Sequence, residues 1–373
     1  MKYSSLEAFR GLAAIVVFFH HSTFTNGEQF FLFSKGSIFV DFFFVLSGFI
    51  MAFAYVEKIQ NGTTFNTFII LRLGRLYPLH FLMLILWVGF ITVKLYGYHK
   101  YGLGSSDPLL TNTINVLISN LFLTNSLGLH ETAGWNYPAW SISTEFWVYM
   151  LFFLFTFCFG KNLKVYMLVL VSLFSYFLLW AMTDKDLLRT IDLGLLRCVG
   201  GFFLGMFVYY LSKFKFKFVF FGAITNSFVE FITVFIVMIL IYMSTDSNMF
   251  QLLTILSFGL VIYVFSIQES GVISKLLKMP VFQFMGKLSY SIYMSHAIFL
   301  AVAGSIYFSI LKLPAVYIDN PNGHPPKILF DSEYGDLINI FILLLIICFS
   351  YCTYRFVEQP WRNKFRNLAY KTN

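Results

Sequence analysis

Charge is what this chain has least of. Only 12% of its 373 residues are Asp, Glu, Lys or Arg, where a soluble domain carries about 25%. The deficit argues against a soluble enzyme. With 58% hydrophobic residues and a mean hydropathy of +0.74, most of the chain belongs in lipid. Cysteine is also scarce: Cys158, Cys198, Cys348 and Cys352 all fall inside apolar runs, and no CxxC spacing occurs. A disulfide framework or a cysteine-held metal is therefore not expected. The sequence lacks GxxxxGK[ST], HExxH and GxSxG, and has no GxGxxG in a cofactor-binding context, so nucleotide hydrolysis and zinc chemistry have no support. The net charge of +8 would suggest nucleic acid on a soluble protein; here it marks cytoplasmic loops. No small-residue cleavage site follows the first apolar run, so we expect a retained helix rather than a signal peptide. No internal repeat, low-complexity tail or separate soluble domain is visible, and 1–373 reads as one membrane domain.

What the chain has is apolar runs of spanning length, about 20 residues each. Ten are visible, near 7–24, 37–57, 76–97, 138–160, 163–183, 191–211, 219–243, 249–267, 288–311 and 335–357. They predict an all-α, polytopic transmembrane helix bundle. The 112–126 stretch is too short and too rich in Asn to span, which leaves a re-entrant or surface helix. With the N-terminus inside, 18 of the 26 Lys and Arg fall on cytoplasmic segments and nearby helix ends. Lys35, Lys94, Lys100, Lys185, Arg189, Arg197, Lys312 and Lys327 fall on the other side. That bias places both termini in the cytoplasm. The longest outer loops, 98–137 and 312–334, carry turn residues, most densely at 321–326.

Polar residues interrupt these runs at a few places. Arg10 and His21 are eleven apart on the first run; eleven helical steps turn roughly 20° past three full turns and rise about 16 Å. They share a face, with a fixed cation near one surface and an imidazole about halfway through the bilayer. His20 lies about 80° off that face. Ionisable groups inside a membrane are costly and point to function. Asp41 opens the second run and reads either as a helix cap or as the carboxylate that orients His21. Arg72 and Arg75, three apart in the loop entering the third run, share a face, and Pro78 suits the first turn after them. With Arg10 they place three guanidiniums at one surface, suited to bidentate phosphate binding; plain positive-inside topology explains them as well. Trp140, Ser141 and Glu145 begin the fourth run. Glu145 sits roughly one and a half turns in, where it must be paired, protonated or functional. Tyr293 and His296 share a face of the ninth run; a lone buried His is more often a hydrogen-bonded core residue than a catalyst. Glu358 could pair with the arginines, and Pro360 should end the last span.

Taken in order, these elements resemble the acyltransferase-3 family of membrane acyltransferases. The resemblance rests on Arg10 with ten intervening residues and His21, and on the acidic-Phe-Phe stretch from Asp41 to Gly48. It rests further on Arg72, Arg75, Leu76 and Pro78, on Trp140 to Glu145, on Ser289 to His296, and on Glu358 with Pro360. One departure is that Ile70 and Leu71 precede Arg72, where the family often shows an extra Arg. The resemblance implies transfer of an acyl group, commonly acetyl, from cytosolic acyl-CoA to an acceptor. That acceptor is often a sugar hydroxyl of a surface or exported polysaccharide, and the setting is a bacterial cytoplasmic membrane. No appended extracytoplasmic domain is expected.

The expected site follows. Arg10, Arg72 and Arg75 would hold the phosphates of acyl-CoA, with no metal. His21 would act as general base or brief nucleophile, supported by Asp41 or Glu145. Trp140, Ser141, Tyr293 and His296 would contact substrate. The partners expected are acyl-CoA, a glycan or lipid-linked sugar and the bilayer, but no nucleic acid. An acyltransferase for a small molecule or lipid headgroup, and a transporter with charges along a path, are the alternatives; no paired half-helix repeats favour the transporter.

Overall fold

The structure is a computed structural model that describes residues 3–25, 30–104, 106–183, 186–214, 222–244, 247–313, 316–318, 327–331 and 333–371. The 321–326 turn run and Lys185 lie outside the described residues.

A chain this apolar must satisfy its backbone hydrogen bonds within each segment, which in lipid selects helices. The bundle opens with α1 (Ser4–His21), a two-residue strand β1 (Phe24–Thr25) and the short α2 (Phe31–Ser34). Then come α3 (Phe39–Gln60), α4 (Phe65–Tyr101), the surface helix α5 (Ile114–Leu121), α6 (Ala139–Phe159), α7 (Val165–Met182) and α8 (Gly194–Lys213). The second half holds α9 (Gly222–Met243), α10 (Asn248–Ile267), the short α11 (Val272–Leu277) and α12 (Pro280–Ser305). After α12 come β2 (Val316–Ile318), β3 (Lys327–Asp331), α13 (Gly335–Thr353) and α14 (Gln359–Lys371).

Nine helices among the described residues are long and apolar enough to cross a membrane. The tenth expected span, α1, falls outside that set, diluted by Glu7, Arg10, His20 and His21. Its 18 residues nonetheless reach about 27 Å, close to the hydrocarbon thickness. Alternating strands were not foreseen: β1 pairs in parallel with β3, and β3 pairs antiparallel with β2, as a small patch near the end of α1.

Two boundaries differ from expectation, and one stretch follows it. The third span begins eleven residues early, at Phe65, because Thr64 caps it by accepting from the Thr67 amide. Arg72 and Arg75 are therefore inside α4 rather than in a loop, and Pro78 lies in the helix interior. At the far end, Pro360 does not terminate the chain's helix. A π-helical turn, Tyr354–Glu358, leads directly into α14, where Pro360 sits in the first turn and needs no amide partner. The 112–126 stretch forms α5, capped by Thr113 and presenting Ile114 and Ile118 outward.

The pairing that positions the site is α1 against α12. Gly11 and Gly286 meet there so closely that a Cβ on Gly286 would lie 2.3 Å from the Glu7 carbonyl oxygen. Small residues at such crossings let two membrane helices approach. This contact carries Arg10 and His21 past Ser289, Tyr293 and His296.

Candidate active site

A cavity of about 960 Å³, counting its open mouth, runs between α1, α3, α4, α6 and α12. Tyr3, Leu6, Glu7 and Arg10 line one end, which is the cytosolic end under the positive-inside orientation. Ser141 and Tyr293 line it too, joined by a 2.8 Å hydrogen bond between Ser141 Oγ and the Tyr293 hydroxyl.

Two of the three expected guanidiniums, Arg10 and Arg75, line this space, and neither makes a hydrogen bond or ion pair to a described residue. Arg72 does not line it. Its side chain is buried behind the wall, bonded to the Tyr55 hydroxyl and stacked over that ring with 4.4 Å from Cζ to the centroid. The expected three-arginine cluster is therefore corrected to two cations facing the cavity and one packed behind it. Glu358 accepts from Ser291 and lies within electrostatic reach of Arg75 and Arg10, so the expected link to the cations is electrostatic.

Glu145 faces the cavity between α3 and α6. It accepts hydrogen bonds from Ser47 Oγ at 2.5 Å and from the Tyr149 hydroxyl one turn on. It is thus paired, within reach of the Arg10 and Arg75 charges rather than bonded to His21. Asp41 is not an orienter of His21 either, and it caps no helix. It is fully buried and receives Arg197 Nε at 2.9 Å and Nη2 at 2.6 Å. The arginine wins because a bidentate guanidinium neutralises a buried carboxylate that a neutral imidazole cannot. Trp140 packs over this pair, 5.4 Å from the Arg197 Cζ, and does not line the cavity. Its expected substrate contact is replaced by a supporting one.

The histidines gather beyond the Ser141–Tyr293 bond. His21 holds its Nδ1 on the Val17 carbonyl at 2.9 Å, so Nδ1 carries the proton and Nε2 is the basic nitrogen. Nε2 stands 3.3 Å from the Tyr137 hydroxyl. The His296 ring lies 5.0 Å from the His21 ring, centroid to centroid, and 5.7 Å from the Tyr293 ring. His20 turns aside to the Phe33 carbonyl at 2.9 Å, as its off-face position requires.

Residues to which the sequence gave no role of their own complete the site. Arg197 was visible only as an outer-side cation, yet an arginine inside an apolar run announces a buried carboxylate partner. Tyr137 precedes the Trp140 element and gave no signal of its own. Ser289 lines the cavity with a buried hydroxyl that has no partner among the described residues.

A family model described as an acyltransferase domain matches residues 3–355, nearly the whole chain. The chain belongs to the acyltransferase-3 family. Acyltransferase MdmB of Streptomyces mycarofaciens is 32% identical over 167 residues, 41% of this chain and 38% of that protein. Protein 2 in picA locus of Rhizobium radiobacter is 39% identical over 92 residues, 24% of this chain and 46% of that protein. The chain thus spans less than half the length of each of these relatives in the matched region. No solved structure matches. The acyltransferase domain therefore sits in a multi-pass helix bundle whose cavity-facing cations come from α1 and α4 and whose neighbouring imidazoles come from α1 and α12.

Proposed function

We propose that this chain moves an acyl group, acetyl by family habit, from cytosolic acyl-CoA to a sugar hydroxyl of a surface or exported glycan. The observation that carries this reading is the polarity of the cavity. Arg10 and Arg75 are cations toward its cytosolic mouth with no hydrogen bond or ion pair to a described residue, and the basic Nε2 of His21 lies beyond its far side.

Buried or half-buried cations without partners are costly unless an anion completes them. Arg10 and Arg75 suit the phosphates of a CoA donor, and the Ser289 hydroxyl, without a partner among the described residues, offers a hydrogen bond to an amide of its arm. About 16 Å of α1 separates Arg10 from His21, so a long, narrow thioester arm fits better than a compact nucleotide. The donor supplies the activated acyl carbon. His21 Nε2 removes the proton from the attacking hydroxyl as general base, with the Val17 carbonyl fixing its tautomer. Asp41 and Arg197 hold α3 to α8 and act at a distance from the chemistry. The Tyr137 loop belongs to the outer side, so the acceptor would approach from there. A bacterial cytoplasmic membrane with both termini inside fits this direction of transfer.

Radiolabelled acetyl-CoA incubated with membranes carrying the chain tests the reading. Label is expected in the glycan fraction. Label in the lipid fraction would favour a headgroup acceptor, and label in small soluble products a small-molecule one. Label left wholly in CoA would contradict acyl transfer.

A further inference from the structure

We infer that Tyr137 holds the acceptor's place: its hydroxyl occupies the basic nitrogen of His21 until a sugar hydroxyl displaces it, which keeps His21 from activating water on a waiting acyl donor. The inference rests on the acyl-transfer reading above. It goes beyond that reading by naming the group that the acceptor displaces and the side reaction that this group suppresses.

His21 Nδ1 meets the Val17 carbonyl at 2.9 Å. A carbonyl only accepts, so Nδ1 donates, and Nε2 keeps the lone pair through which a neutral imidazole accepts. The Tyr137 hydroxyl lies 3.3 Å from that nitrogen, with the two ring centroids 5.4 Å apart. The phenol is the donor in this contact. A general base takes a proton through the same lone pair, within hydrogen-bond reach of the hydroxyl it activates. Tyr137 and an acceptor hydroxyl therefore compete for one atom.

The contact is suited to opening. At 3.3 Å it is longer than most hydrogen bonds, and Tyr137 is 37% exposed. The backbone on either side is held. Asn136 is fully buried and its Nδ2 donates to His80 Nδ1 at 3.4 Å, while His80 Nε2 donates to the Asn120 carbonyl at 2.8 Å. On the other side Pro138, whose ring locks φ, leads directly into α6. Release of the hydroxyl is thus a rotation of one side chain rather than a movement of the loop. A glycan held at the outer surface presents its hydroxyl at a high effective concentration, which a long, partly exposed hydrogen bond does not withstand. A diffusing water has no such advantage.

The reaction so prevented is hydrolysis. A water oxygen bonds to the acyl carbon as the carbon–sulfur bond breaks, and that electron pair leaves on sulfur. His21 Nε2 takes one water proton and then gives it up, and that proton ends on the thiol. The products are acetic acid and free CoA.

The test uses the full chain purified in detergent with acetyl-CoA, and follows free thiol with and without glycan extracted from the surface of cells that lack the chain. Tyr137→Phe keeps the ring and removes the hydroxyl. Without glycan, its thiol release should exceed that of the wild-type chain about 3–10-fold, the worth of one neutral hydrogen bond. The half-saturating glycan concentration should fall by a similar factor, because no internal bond has to be displaced. Tyr137→Ala, which removes the ring as well, should hydrolyse at least as fast as Tyr137→Phe. His21→Ala combined with Tyr137→Phe should lose the extra hydrolysis, since it passes through His21. Hydrolysis no faster in either single variant, or extra hydrolysis that survives His21→Ala, would overturn the role of Tyr137. A fall in transfer kcat of about 100-fold or more in Tyr137→Phe, the size expected of an acid–base group, would also overturn it and make the phenol a proton carrier. Absence of acetyl transfer to glycan by the wild-type chain would instead remove the acyltransferase reading itself.

Discussion

An arginine buried among apolar side chains needs a counter-charge, and Arg197 finds it in Asp41, with both partners essentially sealed from solvent. Breaking such a pair from one side leaves a bare charge and costs about 3–5 kcal/mol. Asp41→Ala or Arg197→Met should therefore sharply lower the melting temperature in detergent. The double replacement Asp41→Leu with Arg197→Met should recover much of the loss, and a double variant no more stable than the singles would show that the pair does more than neutralise itself. Arg10 and Arg75 differ because no described residue gives either a hydrogen bond or an ion pair, though the Glu145 and Glu358 charges lie within reach. Arg10→Gln and Arg75→Gln should each raise KM for acyl-CoA about 10-fold, as loss of a charged hydrogen bond predicts, with stability unchanged. A lower kcat at constant KM would move them from donor binding to chemistry. His21 and His20 separate by face: His21→Ala should reduce kcat at least about 100-fold, and His20→Ala only a few-fold. The spacing from Arg10 to His21 was readable from helix geometry alone. The partner of Asp41 was not, because it lies 156 residues away in sequence and only packing brings the two together.

Among the elements, the α1–α12 contact carries the site. Gly286→Leu would drive a side chain into the Glu7 carbonyl, which a Cβ alone would approach to 2.3 Å. Spreading these helices should lower the melting temperature and weaken donor binding and turnover together, since Arg10, Ser289, Tyr293 and both site histidines depend on their spacing. A change in turnover alone, with stability and donor KM intact, would mean the crossing is not what holds the cavity. Most helices were legible because apolar runs of spanning length have few other folds in lipid. Their ends were less so. Apolarity stops at Arg72, but helical hydrogen bonding continues to the Thr64 cap, so α4 outran its hydropathy. Similarly, the π turn before Pro360 let the helix continue where proline alone predicts a stop. The strand patch gave no signal, because β1 is only two residues long and pairs with a strand more than 300 residues later.

The whole molecule is a funnel of charge in an apolar bundle. Two cations face one end of the cavity, a carboxylate held by Ser47 and Tyr149 lies in its wall, and two imidazoles stand past its far side. This arrangement needs both termini on the cation side. A reporter fused after residue 371 should be active only if it is of the cytoplasmic type; activity of a reporter that works only outside would invert the bundle and the proposed direction of transfer. The order of polar elements along the chain revealed the family, because six such elements in sequence rarely recur by chance. The acceptor is not encoded in any one of them, since the outer surface that would meet it is loop. The most direct test of the account is mass spectrometry of surface glycans from cells expressing the wild-type chain, His21→Ala, or neither. An acyl mass increment present with the wild-type chain and absent from the other two is the predicted result. An increment retained in His21→Ala, or absent from all three, would contradict glycan acylation through His21.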